Sequence, residues 1–240
     1  MLKLRSETLS VERAESEQFA ECYLVKSGPQ SSFVRVFYSE ELMAMVTGCW
    51  LSGHLSDFDK FWVISDRSAF MASGYLSATD FLEFLAVVGP EEAAQPALSY
   101  LVWDEIVSSL LTVDSLFCAK HGDDAADGVR SRFRRFARGL LSASWSAIGG
   151  WNATESDSED VVNLRSLMIN ALVRFEDEEL VRDGAGLWTA ILAQNGGAIP
   201  VNADGQIQGI DGNLLRSVME CVLSVDSGSG VFDVKCSVMI

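Results

Sequence analysis

Histidine is nearly absent from this 240-residue chain, with only His54 and His121. They stand in Leu51-Ser52-Gly53-His54-Leu55 and Lys120-His121-Gly122-Asp123, so no H-E-x-x-H pair is present to hold a catalytic zinc. A G-x-S-x-G nucleophile turn, a P-loop and a dinucleotide fingerprint after a strand are missing too. No catalytic residue, metal ligand or cofactor is therefore assigned to this chain. Cysteine is sparse: Cys22, Cys49, Cys118, Cys221 and Cys236 are odd in number, far apart and without C-x-x-C, the pattern of reduced thiols in a cytoplasmic protein. Basic charge is short as well. Eighteen Lys and Arg against 34 Asp and Glu give a formal charge of −16, which opposes phosphate backbones and anionic lipid, so no nucleic acid and no membrane is expected as a partner. No apolar run approaches the ~20 residues of a bilayer span, and MLKLRSETLSVERAESE turns charged before a signal-peptide core could form.

Apolar residues make up 48% of the chain, enough for one large domain or a repeat array with a substantial core. The stretch from Pro96 to Phe117 organises the rest: Leu98, Leu101, Val102, Ile106, Leu110, Val113 and Phe117 recur at steps of three and four, which predicts a buried helix of about six turns. Pro96 suits its first turn, where a missing N–H has no partner to lose.

Residues 1–38 read as β. Cys22-Tyr23-Leu24-Val25 and Phe33 to Tyr38 flank Ser27-Gly28-Pro29, the signature of a hairpin that needs a larger sheet or helices to cover it. From Ser39 the period turns helical. Ser39 caps a short helix through Cys49, Ser56 with Asp59 forms a capping box before a helix ending near Gly74, and Ser77 with Asp80 repeats the device before a helix closed by Gly89-Pro90. A long helix begins near Val129 and ends at Gly149-Gly150, with Phe133, Phe136, Leu140 and Leu141 inward and Arg130, Arg134 and Arg138 outward. Further helices are expected over 161–175, over 180–192 up to the breaker Asn195-Gly196-Gly197, and around Leu214, Leu215, Val218 and Val222. Short helices joined by tight turns pack as antiparallel neighbours.

Several passages carry a resemblance. Tyr100-Leu101-Val102-Trp103 resembles a Y-x-V-W that opens a core helix in the helical C-terminal domain of puromycin-sensitive and endoplasmic-reticulum-type zinc aminopeptidases. Phe33 to Ser39 resembles that family's G-F-Y-R-V-N-Y-S, and Asp66 to Ser77 its D-x-x-x-L-x-x-A-G-x-x-S. Leu141 to Trp151 resembles L-S-P-L-x-x-x-L-G-W with one glycine extra, and Asn163 to Asp177 resembles L-L-R-x-L-V-L-x-x-L-x-R-F-G-D with Glu176 in place of the glycine. The resemblance covers about residues 20–223. It implies an all-α fold, a HEAT/armadillo-like α-solenoid of antiparallel helix pairs over 39–240 preceded by the β-hairpin remnant of a small β-sandwich over 1–38. It also implies a lid and peptide-chamber module that takes part in proteolysis only together with a catalytic domain. Zinc belongs to the full-length family, and the chain alone is expected to be inactive. The implied partners are that catalytic domain or another protein chain, and peptide. The alternative is a free-standing helical scaffold for protein–protein interaction.

Against the acidic background, Arg130, Arg132, Arg134, Arg135 and Arg138 crowd into nine residues. Arg130, Arg134 and Arg138 are the candidate contact for a peptide carboxylate or an acidic neighbouring domain, set beside the plainer reading of a solvated helix face pairing with nearby aspartates. Arg165 reads as structural. At the C-terminal end, a solenoid stopping without a capping repeat leaves the face of Leu214, Leu215, Val218 and Val222 partly open, with self-association as the expected consequence.

Overall fold

The computed structural model describes residues 34–226 except 96, 122–127, 155, 204–206 and 211. Among them are eight helices: α1 (Glu40–Leu51), α2 (Asp57–Ala72), α3 (Ala78–Ala93), α4 (Tyr100–His121), α5 (Val129–Ala147), α6 (Glu159–Arg174), α7 (Glu178–Gln194) and α8 (Gly212–Asp226). The all-helical expectation from Ser39 onward holds, with a lone antiparallel bridge between Val201 and Ile207. Most of the expected hairpin falls outside the described residues. Its last part, from Val34, runs extended into Ser39 with no strand assigned.

Polar residues start the helices. Ser39, Ser56, Ser77, Ser158 and Asp177 each accept the backbone N–H three residues on, a bond worth about 1 kcal/mol per cap. At Ser56 the Asp59 carboxylate returns the bond and completes the capping box. Glycines end helices where the chain must turn left-handed: Gly149 and Gly150 after α5, Gly196 and Gly197 after α7.

Three expectations need correction. Gly89-Pro90 does not close α3, which runs on to Ala93 with Pro90 inside its last turn. Gly89 serves packing instead, because a Cβ there would lie 2.4 Å from Leu140 Cδ1, so its bare backbone admits α5 against α3. The organising helix begins at Tyr100 rather than Pro96, leaving Leu98 ahead of it. Of its stripe, Val102, Ile106, Leu110 and Val113 are buried, joined by Trp103, while Leu98 and Leu101 are half-buried. Third, most of the α8 face is covered. Leu214, Val218 and Val222 are buried, the last two with Trp188 and Ile191 of α7 in a small second core, and Leu215 is half-buried against it.

The helices pack in two rows. The even helices touch in series, α2 on α4, α4 on α6 and α6 on α8; α1, α3 and α5 form a second row, and the rows meet where α2 touches α3, α5 touches α4 and α6, and α7 touches α6 and α8. The main core runs between the rows from Met43 to Cys221. Helix α7 meets α8 where Gly184 lacks a side chain; a Cβ there would stand 2.7 Å from Cys221 Sγ and 2.9 Å from Trp151 Cζ2.

Candidate interaction surface

The arginine cluster opens α5, and α4 and α6 decide which of its members face water. Asp114 of α4 lies on the apolar stripe with no exposure at all. Arg134 Nε donates to Asp114 Oδ1 at 3.0 Å, Arg130 Nε donates to the same oxygen at 3.3 Å, and Arg174 of α6 stands 3.7 Å from Oδ2. Arg134 also pairs with Glu176, while Arg138 donates to the carbonyls of Phe175 and Glu176 at the end of α6. Arg134 is therefore buried, not outward, and Arg130 and Arg138 are partly buried. Arg132 and Arg135 are the exposed members, and neither makes an ion pair among the described residues. Burial alone raises the pKa of the Asp114 carboxyl, but the hydrogen bonds from Arg134 and Arg130 more than reverse this and hold it below the usual carboxylate range. Burial likewise opposes the charge on Arg134, and its bonds to Asp114 and Glu176 outweigh that, leaving its pKa raised.

Glu176 stands at φ 60°, the only non-glycine residue with positive φ among those described. Its N–H bonds Val173 O and that of Asp177 bonds Leu172 O, a Schellman turn that ordinarily favours glycine. Glutamate thus occupies a left-handed position at a conformational cost of roughly 1–2 kcal/mol, and its carboxylate reaches back to Arg134. The sequence carried a signal for this hub: Asp114 falls four residues after Leu110 on an otherwise apolar stripe, where a carboxylate needs a partner.

Passages far apart in sequence interlock. Arg35 of the extended segment donates to Asp66 Oδ1 at 3.2 Å and to Ser65 Oγ, and the Val36 N–H donates to Asp66 Oδ2 at 3.0 Å. Phe37 packs edge-on against Phe70 at 5.1 Å. The segment leading into the helices is thereby fixed on α2. Arg165, the arginine of the L-L-R passage, is 1% exposed and structural as expected. Its guanidinium donates to the carbonyls of Ile148, Gly150 and Asn152 and to Asp157. The double-glycine turn after α5 is thus closed by a side chain of α6. Lys60 and Glu92, both buried, meet at 2.6 Å, and Trp50 Nε1 donates to the same Glu92 oxygen, tying α1, α2 and α3 together.

Two of the open grooves among the described residues are large enough to take side chains. One of about 540 Å3 lies beside the incoming segment, with Phe37, Tyr38, Glu40, Arg67, Tyr75, Asp80, Glu83 and Phe84 among its lining. Arg67 sits over the Phe84 ring with its Nε shielded from solvent and without a hydrogen-bond partner, and burial lowers its pKa against the opposing charge of Asp80. The other, about 490 Å3, lies between α7, α8 and the turn after α5, against Trp151, Leu187, Ile191, Ile210, Leu214 and Val218. No metal centre takes shape among the described residues, which hold no group of three or more His, Cys, Asp or Glu able to ligate one. His54 Nδ1 shares a 2.7 Å hydrogen bond with Ser52 Oγ on an exposed turn. Cys221 is buried, and burial pushes its thiol up to about 12, which removes it as a nucleophile at neutral pH. Among the described residues, no helix is long and apolar enough to cross a membrane.

Residues 29–229 match the sequence profile of the ERAP1-like C-terminal domain. The chain belongs to that family. It is similar to the mitochondrial aminopeptidase 2 of Saccharomyces cerevisiae, 29% identical over 148 residues, covering 61% of this chain and 14% of the yeast protein. It is also similar to the alanine/arginine aminopeptidase of the same yeast, 26% identical over 174 residues, covering 72% of this chain and 19% of that protein. Aminopeptidase M1-B of Oryza sativa subsp. japonica is 24% identical over 182 residues, 76% of this chain and 19% of its own length. The chain thus spans less than a fifth of these relatives' lengths. The ERAP1-like match takes in Arg35, Asp66, Asp114, Arg134 and Arg165, so the contacts that hold the helices together lie within the family region.

Proposed function

We propose that this chain works as the C-terminal helical module of an aminopeptidase-like protein, a wall and lid over a peptide chamber whose catalytic portion lies outside these residues. The family match over 29–229 carries the reading. Further support comes from the bonds of Arg35 and Val36 to Asp66, which hold the segment entering α1 against α2. On this reading the two helix rows belong to a HEAT-like solenoid, and the zinc chemistry expected of the family resides on residues that this chain does not supply. Arg130 and Arg138 meet a peptide carboxylate or an acidic face of the catalytic portion, while Arg134 positions them through Asp114 and Glu176.

A chimera tests this. In the yeast alanine/arginine aminopeptidase, the aligned region is replaced by residues 29–229 of this chain, and hydrolysis of an aminoacyl reporter is measured. The expected result is activity in the chimera, none in the yeast enzyme lacking the region, and none in the isolated chain. Tight stoichiometric zinc with amino acid release by the isolated chain would contradict the proposal, as would a folded chimera no more active than the truncated enzyme.

A further inference from the structure

We propose that the groove beside the incoming segment is a docking site for a basic stretch of a partner polypeptide, one that sets arginine or lysine side chains between aliphatic ones. The groove, of about 540 Å3, is walled by α1, α3 and the extended residues ahead of α1. Its apolar members are more exposed than core packing explains: Tyr75 is 70% and Phe37 58% exposed, and Val87 is 48%. They are held nonetheless. Phe37 and Tyr75 both stand edge-on to Phe70, at 5.1 and 6.3 Å, and the bonds of Arg35 and Val36 to Asp66 fix the segment that carries Phe37 and Tyr38. Rings held outward before any partner arrives lose little freedom on binding, and aromatic residues are the usual anchors of an interface.

Charge names the occupant. Glu40, Asp80 and Glu83 stand around these rings, and Glu40 and Glu83 are exposed and make no ion pair among the described residues. Arg67 is the one cation of the lining. It lies over the Phe84 ring at 4.8 Å, donates to the Asp80 carbonyl at 3.2 Å and keeps its Nε shielded from solvent, so its charge is spent on the wall. Arg67 also shows what this wall accepts: a guanidinium stacked on a ring with a carboxylate alongside. A partner's arginine finds the same combination at Phe37 and Tyr75. Acidic residues alone are common in a chain of charge −16; their place beside rings held open is what favours a basic, partly apolar segment over a lone cation. A second copy of this chain offers the exposed Arg132 and Arg135 but brings a charge of −16 with them, which opposes its approach. Arg130 and Arg138 do not line this groove, so the titration below and the chimera succeed or fail separately.

The test is calorimetric titration of the full chain with the blocked peptide acetyl-Arg-Leu-Arg-Leu-Arg-amide and with its citrulline counterpart, which keeps the shape and loses the charge. The arginine peptide is expected to bind at least about fivefold more tightly than the citrulline one. Glu40→Gln with Glu83→Gln is expected to weaken it by at least about fivefold and Tyr75→Ala by about threefold. Glu178→Gln with Glu179→Gln, an equal loss of charge on α7, is expected to change it by less than about twofold. Equal affinity for the two peptides, a comparison made on the wild-type chain, would overturn the proposal. An equal loss from the α7 substitutions would also overturn it, since attraction to net charge alone would then account for binding. So would self-association in sedimentation that Arg132→Gln with Arg135→Gln and Glu40→Gln with Glu83→Gln each abolish, which would assign the groove to a second copy.

Discussion

Between α4, α5 and α6 the chain buries a carboxylate, Asp114, among arginines; between α7 and α8 it buries a thiol, Cys221, against a glycine. In the first region, arginine side chains from α5 and α6 converge on one fixed charge, and stability rests on every partner staying in place. The second is held by backbones coming close, so stability rests on a side chain being absent. An ion-paired core is damaged most by deleting a partner, because a charge remains behind; a close-packed one is damaged by adding atoms.

The largest effect is expected from Asp114→Asn. Removing one member of a buried pair typically costs about 3–5 kcal/mol, and here it leaves Arg134, at 6% exposure, with the exposed Glu176 as its remaining charge partner. Denaturant unfolding of the variant reads this directly. The same carboxylate sets an acid limit. Its folded pKa lies below the unfolded value of about 3.9, so its contribution is complete above that pH and is lost as pH falls through the lower folded value. Wild type therefore loses stability on acidification in a step that Asp114→Asn lacks, which melting between pH 5 and pH 2 detects.

Next comes a pair of identical substitutions on α7. Gly184→Ala drives a Cβ into Cys221 and Trp151 and is expected to destabilise by about 1–3 kcal/mol. Gly186→Ala meets nothing within 4 Å and is expected to stabilise by up to about 1 kcal/mol through helix propensity. Equal shifts in melting temperature for the two would break the contrast.

The smallest effect belongs to Glu176. Its side chain is 70% exposed, so its pairing with Arg134 contributes at most about 1 kcal/mol. Glu176→Gly removes that pairing and the left-handed strain together, leaving a net change within about 1 kcal/mol, whereas Glu176→Ala keeps the strain and loses the pair. Glycine is expected to be the more stable of the two variants, read by denaturant midpoint.

Helix positions were legible in the sequence because Ser39, Ser56 and Ser77 cap where capping residues should, and because the apolar stripe of α4 is periodic. Gly89-Pro90 misled because a local stop signal cannot reveal Leu140, some fifty residues away, whose approach requires the glycine. Arg134 misled for the same reason: a cation in the middle of a nine-residue, arginine-rich run looks solvated until Asp114 is placed beneath it. The motif matches gained meaning in three dimensions, where Arg35 of the Phe33–Ser39 passage meets Asp66 of the Asp66–Ser77 passage and Arg165 closes the double-glycine turn. The α8 face was expected to be open because nothing local shows that α6 and α7 cover it.

A double-mutant cycle on Asp114→Asn and Arg134→Met, read by chemical denaturation at pH 7, tests the buried-charge account most directly. A coupling energy of about 1–3 kcal/mol is predicted, with the double variant more stable than the sum of the two single losses allows. Additive losses would show that Asp114 and Arg134 act independently and would contradict the account.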